Sequence, residues 1–149
     1  MSNFDCGEEV LNLWLEKRAL PAIAARTANT FVVCRGRQVV GYFSLANSAV
    51  AHKDASAKVR RNTPDPIPAT LLARLAVDST EQGQGIGEDL LRDAMRRTLA
   101  GAKISASKML IVHALNAKAH QYYSDRGFIP LRGDTNALFM PLDTIVLTL

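Results

Sequence analysis

An apolar run, Leu72-Ala73-Arg74-Leu75-Ala76-Val77, leads into a glycine-rich turn, Gln82-Gly83-Gln84-Gly85-Ile86-Gly87, and then into an amphipathic segment. A strand, a tight turn and a helix in that order aim backbone N–H groups and a helix N-terminus at one point. Such a point suits an anionic phosphate group. A dinucleotide fingerprint needs Gly-x-Gly-x-x-Gly and an acid after the next strand. Here the glycines stand at 83, 85 and 87, and the next strand runs into Leu115-Asn116. A P-loop needs Gly-Lys-Ser/Thr, a tripeptide the chain lacks. Two readings remain: a phosphate cradle of another kind, or glycines that simply make a tight turn.

The elements that must position this turn read as α/β. Val10, Leu11, Trp14, Leu15 and Ala19 share one face of a helix over 8–20, and Pro21 ends that helix or opens the next turn. Residues 30–35 and 38–45 form a hairpin about Gly36, and 44–50 extends its second strand past a bulge. The stretch 51–68, with Pro64, Pro66 and Pro68, reads as an extended loop. A strand over 70–77 precedes the glycine turn. The helix over 87–100 buries Leu90, Leu91, Ala94, Met95 and Leu99 and turns Arg92, Arg96 and Arg97 to solvent. A strand over 109–115 and a helix over 117–126 follow, the helix stopping at a left-handed Gly127. Strands over 128–131, 137–140 and 144–147 complete the sheet. With 149 residues, 48% of them hydrophobic, a single domain over 1–149 is expected.

Composition narrows the classes. The apolar runs are too short to span a bilayer, and no charged segment precedes an apolar one at the start, so a cytoplasmic protein without a secretory signal is expected. Cys6 and Cys34 lie in no metal-like spacing and read as reduced, partly buried thiols, and the three isolated histidines make no zinc pattern. No metal is expected. The net charge is +4, but nine of the 18 basic residues fall between Lys17 and Arg61 against one acid, Asp54. That imbalance points to a polyanionic partner or to a merely solvated surface.

The pattern Gln82-x-x-Gly85-x-Gly87 directly after a strand resembles the pyrophosphate loop of the GNAT family of N-acetyltransferases. The resemblance implies a mixed, mostly antiparallel sheet with splayed central strands flanked by helices. It implies that Gln82, Gly83, Gln84, Gly85, Ile86 and Gly87 cradle the pyrophosphate of acetyl-CoA. Leu75, Ala76 and Val77 would bond the pantetheine arm, which fills the splay as a pseudo-strand and satisfies unpaired backbone groups. Asn116 stands where the family often contacts the cofactor. The segment 119–128 resembles the family's helix ending in Phe/Tyr-Tyr-x-x-x-Gly-Phe. In that ending Tyr123 is the general acid that protonates the leaving thiolate, and Tyr122 faces the core. A phenol, with an ordinary pKa of about 10, is protonated at neutral pH and can donate.

Several segments are similar to one branch of that family, the toxins of bacterial type II toxin–antitoxin modules that acetylate aminoacyl-tRNA. They include Phe4-Asp5-Cys6-Gly7-Glu8, Trp14-Leu15, residues 30–34, residues 41–45, the loop 60–68, Arg74-Leu75-Ala76-Val77-Asp78 and residues 112–115. The resemblance implies an aminoacyl-tRNA substrate, a ribbon-helix-helix antitoxin, operator DNA bound through the antitoxin complex, and a homodimer. It makes Lys17, Arg18, Lys58, Arg60, Arg61 and Arg74 contacts to acceptor-stem phosphates. Two departures stand out: the branch usually has a strand before Phe4, where only Met1-Ser2-Asn3 stand here, and Ala73 replaces its usual glycine.

The chemistry asks little of a general base. Free α-amines titrate near about 8 and lysine near about 10.4, so a useful share of an aminoacyl amine is neutral at pH 7. Direct attack on the thioester follows, with backbone N–H groups of Ala76 or Val77 near the thioester oxygen. Asp78 and Glu81 are expected in solvent-side roles only, and His113 and His120 either relay protons or are structural. The rival readings are an acetyltransferase for a small amine or a protein N-terminus, and a binding module that represses its own operon with an antitoxin.

Overall fold

The computed structural model describes residues 3–149, without the side chains of Asp134 and Thr135. The strand implied ahead of Phe4 would draw on Met1 and Ser2, which lie outside the described residues. Six strands share one sheet: β1 (Asn29–Arg35), β2 (Gln38–Val50), β3 (Ile67–Val77), β4 (Met109–His113), β5 (Ile129–Leu131) and β6 (Asp134–Pro141). Their order is β1-β2-β3-β4-β6-β5. The β1–β2, β4–β6 and β5–β6 pairs are antiparallel and β3–β4 is parallel. The chain divides into two compact units, Met1–Ala46 with Ala73–Ala94, and Asn47–Leu72 with Met95–Leu149.

In the first unit, α1 (Glu9–Leu13) runs through a π-helical turn (Trp14–Arg18) into α2 (Ala19–Ala25). The helix therefore does not end at Pro21. Pro21 follows directly on the π-helical turn, where the Ala19 N–H reaches the Trp14 carbonyl and the i−4 ladder is already interrupted, so the missing proline N–H is tolerated. Leu15 and Ala19 are buried with Phe4, Val39, Tyr42 and Ala76, and Leu11 and Trp14 pack against them. Val10 is not on that buried face: it is 67% exposed. The β1–β2 hairpin turns at Gly36, and its bulge lies between Val33 and Cys34 rather than inside 44–50. Cys34 is exposed, and only Cys6 is half-buried.

Gly41 of β2 marks a close approach. A Cβ there would stand 2.9 Å from Leu90 Cδ1, 3.1 Å from Val33 Cγ1 and 3.3 Å from the carbonyl oxygen of Ala76. Its absence lets α4 (Ile86–Ala102) settle on the sheet through Leu90. The helix buries Leu90, Leu91, Ala94 and Met95, as its spacing predicts, and exposes Arg92, Arg96 and Arg97, but Leu99 is only half-buried and Thr98 beside it is buried.

In the second unit the core gathers Val50, Ala55, Ile67, Ala69, Met109, Ile111 and Phe139. The segment 51–66 is not a plain extended loop. It holds a 3-10 turn (His52–Asp54) and α3 (Ala57–Arg60), capped by the Ser56 hydroxyl accepting the Val59 N–H. Its fold comes from long-range bonds: His52 Nε2 donates to the Pro64 carbonyl at 2.7 Å, and Asp65 accepts the His52 N–H at 3.0 Å. Helix α5 (Ala117–Asp125) ends as expected, with Gly127 at φ +96. The last segment is a correction. Residues 144–147 form no strand but lie in helix α6 (Leu142–Thr148), which buries Ile145 completely and exposes Val146 and Leu147. Four residues rich in β-branched types show no clear period, and packing of Ile145 outweighs their strand propensity.

Strand β3 lies between β2 and β4 in the sheet. Its ladder with β4 pairs Ala69–Leu72 with Met109–Val112 and goes no further, although β3 continues to Val77. This is the splay that the family resemblance implies.

Candidate active site

The first unit holds the glycine turn. Gly83 and Gly85 adopt φ of +81 and +85, a region that L side chains rarely enter, while Gly87 is already helical. Gly83, Gln84 and Gly85 are exposed, and the Asp89 N–H donates to the Gly85 carbonyl at 3.1 Å as α4 begins. The amides ahead of that bond lie in the exposed turn, a place that fits a pyrophosphate cradle. The first turn of α4 carries Glu88 and Asp89, so attraction for an anion there comes from backbone amides, not side-chain charge.

Gln82 holds the turn in place. Its Nε2 donates to the carbonyls of Val77, at 2.9 Å, and Cys6, at 3.1 Å, clipping the end of β3 to the N-terminal segment. Asp78 adds a second clip and corrects the solvent-side expectation. It is 6% exposed, and its carboxylate accepts the backbone N–H groups of Asp5 and Thr80, each at 3.0 Å, and the Thr80 hydroxyl at 2.7 Å. The Asp5 N–H, ahead of the Thr80 groups, holds the Asp78 carboxyl below the usual carboxylate range against the opposing effect of burial. Glu81 is bound by Arg35, which reaches it through two nitrogens at 2.7 and 3.2 Å. The three-residue spacing Asp78-x-Thr80, a helix-capping pattern, was the signal for the role of Asp78.

Leu75 and Val77 are half-buried and Ala76 is buried. Of the basic residues expected on this unit, Lys17 and Arg18 are exposed in the π-helical turn. Arg74 is half-buried, its Cζ 3.3 Å from the centroid of the Trp14 ring. Trp14, on the helical face expected for it, is half-buried, packs against the core and carries the guanidinium on its ring.

The second unit holds Asn116 and Tyr123. Asn116 caps α5, its side-chain oxygen accepting the Ala119 N–H at 2.9 Å. Tyr123 is 7% exposed, and its ring meets Tyr122 and Phe128 edge-on, with centroids 5.4 and 5.5 Å away. Burial raises its phenol pKa well above the ordinary value, so the hydroxyl keeps its proton at every physiological pH. Lys58 and Arg61 are exposed, whereas Arg60 is half-buried with Nη1 3.4 Å from the His52 carbonyl. His120 is half-buried on α5, and His113 is exposed at the end of β4. His113 also lines a cavity of about 210 Å³ with Ser48, Asp54, Ile111, Arg132 and Ala137, which sequence patterns did not indicate. Among the described residues no group of three His, Cys, Asp or Glu is placed to hold a metal ion. No helix among them is long and apolar enough to cross a membrane.

The succession of strand, glycine turn and helix in the first unit is the one expected of an N-acetyltransferase. The sequence signature of the Acetyltransferase (GNAT) domain matches residues 26–130, and the chain belongs to that family. A tRNA-acetylating toxin of Mycobacterium tuberculosis (strain ATCC 25618 / H37Rv) is 46% identical over 123 residues, covering 83% of this chain and 74% of that protein. Among solved structures, AtaT complexed with acetyl-methionyl-tRNAfMet superposes with a TM-score of 0.90 at 38% identity, covering 97% of this chain and 88% of that one. A tyrosine-to-phenylalanine variant of AtaT, bound to the C-terminus of the antitoxin AtaR and acetyl-CoA, gives 0.84 at 37% identity over 98% and 88%. The AtaT–AtaR complex bound to DNA gives 0.82 at 36% identity over 99% and 89%.

Proposed function

We propose that this chain is a toxin that transfers the acetyl group of acetyl-CoA to the α-amino group of aminoacyl-tRNA and so blocks translation. The observation that carries the reading is the glycine turn, whose left-handed Gly83 and Gly85 stand exposed at the head of α4. The 46% identity to a tRNA-acetylating toxin and the AtaT complex with acetyl-methionyl-tRNAfMet support the substrate class. When bound, acetyl-CoA supplies the acetyl thioester. Gln82, Gly83, Gln84, Gly85, Ile86 and Gly87 hold its pyrophosphate, Leu75, Ala76 and Val77 orient its arm where β3 has left β4, and Asn116 borders it. An N–H of Ala76 or Val77 would stand near the thioester oxygen, and Tyr123 Oη would supply the proton that the departing sulfur takes. Attack needs no strong base, because an α-amine that titrates near about 8 keeps a useful neutral share at pH 7.

Lys17, Arg18, Lys58, Arg60, Arg61 and Arg74 contact phosphates of the acceptor stem. Residues 1–149 act as one cytoplasmic acetyltransferase domain without a metal. The AtaT–AtaR complexes with and without DNA support an antitoxin partner and operator binding through it. A ribbon-helix-helix antitoxin and a homodimeric toxin belong to the same reading. The test is transfer of label from acetyl-CoA to charged tRNA and to deacylated tRNA. Label that enters only charged tRNA supports the reading. Acetyl-CoA binding without such transfer turns the assignment to a small-amine or protein N-terminus acetyltransferase.

A further inference from the structure

Trp14 opens the π-helical turn, and its indole is fixed from below. The Nε1–H donates to Ser44 Oγ at 3.3 Å, and Ser44 Oγ lies 2.8 Å from Thr30 Oγ1. Ser44 is fully buried, and Leu15, the next residue after Trp14, is 2% exposed. The hydrogen bond and the packing against the core hold the ring, and one flat face of it meets Arg74. The Arg74 guanidinium lies on that face at 3.3 Å, where stacking and cation–π attraction hold its plane.

Arg74 is half-buried, yet among the described residues no carboxylate pairs with it and none of its five N–H donors meets an acceptor. Arg35 on the same unit shows the contrast, since Glu81 engages two of its nitrogens. A guanidinium drawn partly out of water, held flat and left without an acceptor is a receptor for a planar pair of anionic oxygens. Its surroundings favour an extended polyanion over a small one. Lys17 and Arg18 stand exposed in the same turn as Trp14. Arg74 also lies three residues before the end of β3, about 10 Å from Val77 along the strand, at the arm end of the cofactor track rather than its pyrophosphate end.

We propose that Trp14 and Arg74 form a preset phosphate receptor that takes the RNA phosphodiester nearest the reacting amine, with Trp14 a positioning residue acting through Arg74. The assignment rests on the aminoacyl-tRNA reading above. Its test is the affinity of wild type, Arg74→Lys, Trp14→Phe and Trp14→Leu for charged tRNA over a salt series, with acetyl-CoA affinity measured in parallel. Lysine keeps the charge but not the planar fork, so Arg74→Lys weakens tRNA binding by about tenfold or more. Trp14→Leu lowers the salt slope by about 0.7–0.9, one phosphate contact, while Trp14→Phe, which keeps a ring, falls between. Acetyl-CoA affinity stays at the wild-type value in all three. Wild-type tRNA affinity and slope in Arg74→Lys overturn the receptor, as does loss of acetyl-CoA binding in its place, which would assign the stack to the cofactor. Wild-type protein that binds acetyl-CoA but no tRNA overturns the substrate reading itself, and the two failures are thereby told apart.

Discussion

Asp5 and Asp78 lie 73 residues apart, yet the Asp5 N–H donates to Asp78 Oδ2 at 3.0 Å, and the Asp5 carbonyl accepts the N–H of Ser79, the residue after Asp78, at 2.8 Å. This two-way clasp fixes the N-terminal segment against the turn that precedes the glycine loop. It also makes stability depend on a carboxylate that must stay ionised.

Asp78 is held below the ordinary carboxylate pKa by the Asp5 N–H first and by the Thr80 groups. Its contribution is therefore complete above the unfolded carboxylate value, near 3.8, and is lost as pH falls through the folded value. Asp78→Ala removes a cap and the clasp, and costs about 1–2 kcal/mol at neutral pH. The gap between variant and wild type narrows as the solution is acidified. Urea unfolding at a series of pH values checks both size and trend. A gap that widens toward acid pH rules the account out.

Tyr123→Phe keeps the edge-on contacts to Tyr122 and Phe128 and removes only the hydroxyl. Turnover falls by about a hundredfold or more, while fold and acetyl-CoA affinity are retained. Because burial raises the phenol's pKa, the wild-type rate shows no loss from tyrosine ionisation up to pH 9. Steady-state kinetics on charged tRNA over pH 6–9, with calorimetry for the cofactor, measure all three.

Gly85→Ala places a side chain at φ +85 with nothing within 4 Å of its Cβ, so its cost is backbone conformation alone. Stability drops by about 1–2 kcal/mol, or the turn shifts to relieve the strain. Either response moves the amides ahead of α4, so acetyl-CoA affinity falls. An unchanged affinity would remove this turn from the cofactor site.

Arg60 and Arg61 separate two effects of one charge cluster. Arg61→Ala, at an exposed site, lowers the salt slope of tRNA binding by about 0.7–0.9 and leaves stability unchanged. Arg60→Ala lowers the slope too, but also removes the bond to the His52 carbonyl and costs under about 1 kcal/mol. Filter binding and thermal unfolding of the two single variants resolve the difference.

What the sequence revealed divides along range. The glycine turn, the Gly127 stop and the stripe of α4 were legible because each is written in neighbouring residues: positive-φ glycines and a 3.6-residue period. The 51–66 segment was not, because its shape depends on His52 reaching Pro64 and Asp65. Trp14 read as core because its spacing fits a buried face, and nothing in spacing tells a packed ring from one that carries a guanidinium. Asp78 looked solvent-facing because its main partner, Asp5, is so distant in the chain. The candidate site's loop was thus visible, while the clips that hold it were not.

The missing side-chain atom at Gly41 has a reach beyond the sheet it sits in. The seat of Leu90 against β2 sets the height of α4, and the first residues of α4 are the amides of the glycine turn. A methyl group at position 41 stands 2.9 Å from Leu90 Cδ1, so either that side-chain tip turns aside or the helix gives by a few tenths of an ångström. A search for activity-tuning substitutions confined to the glycine turn itself would pass this position by.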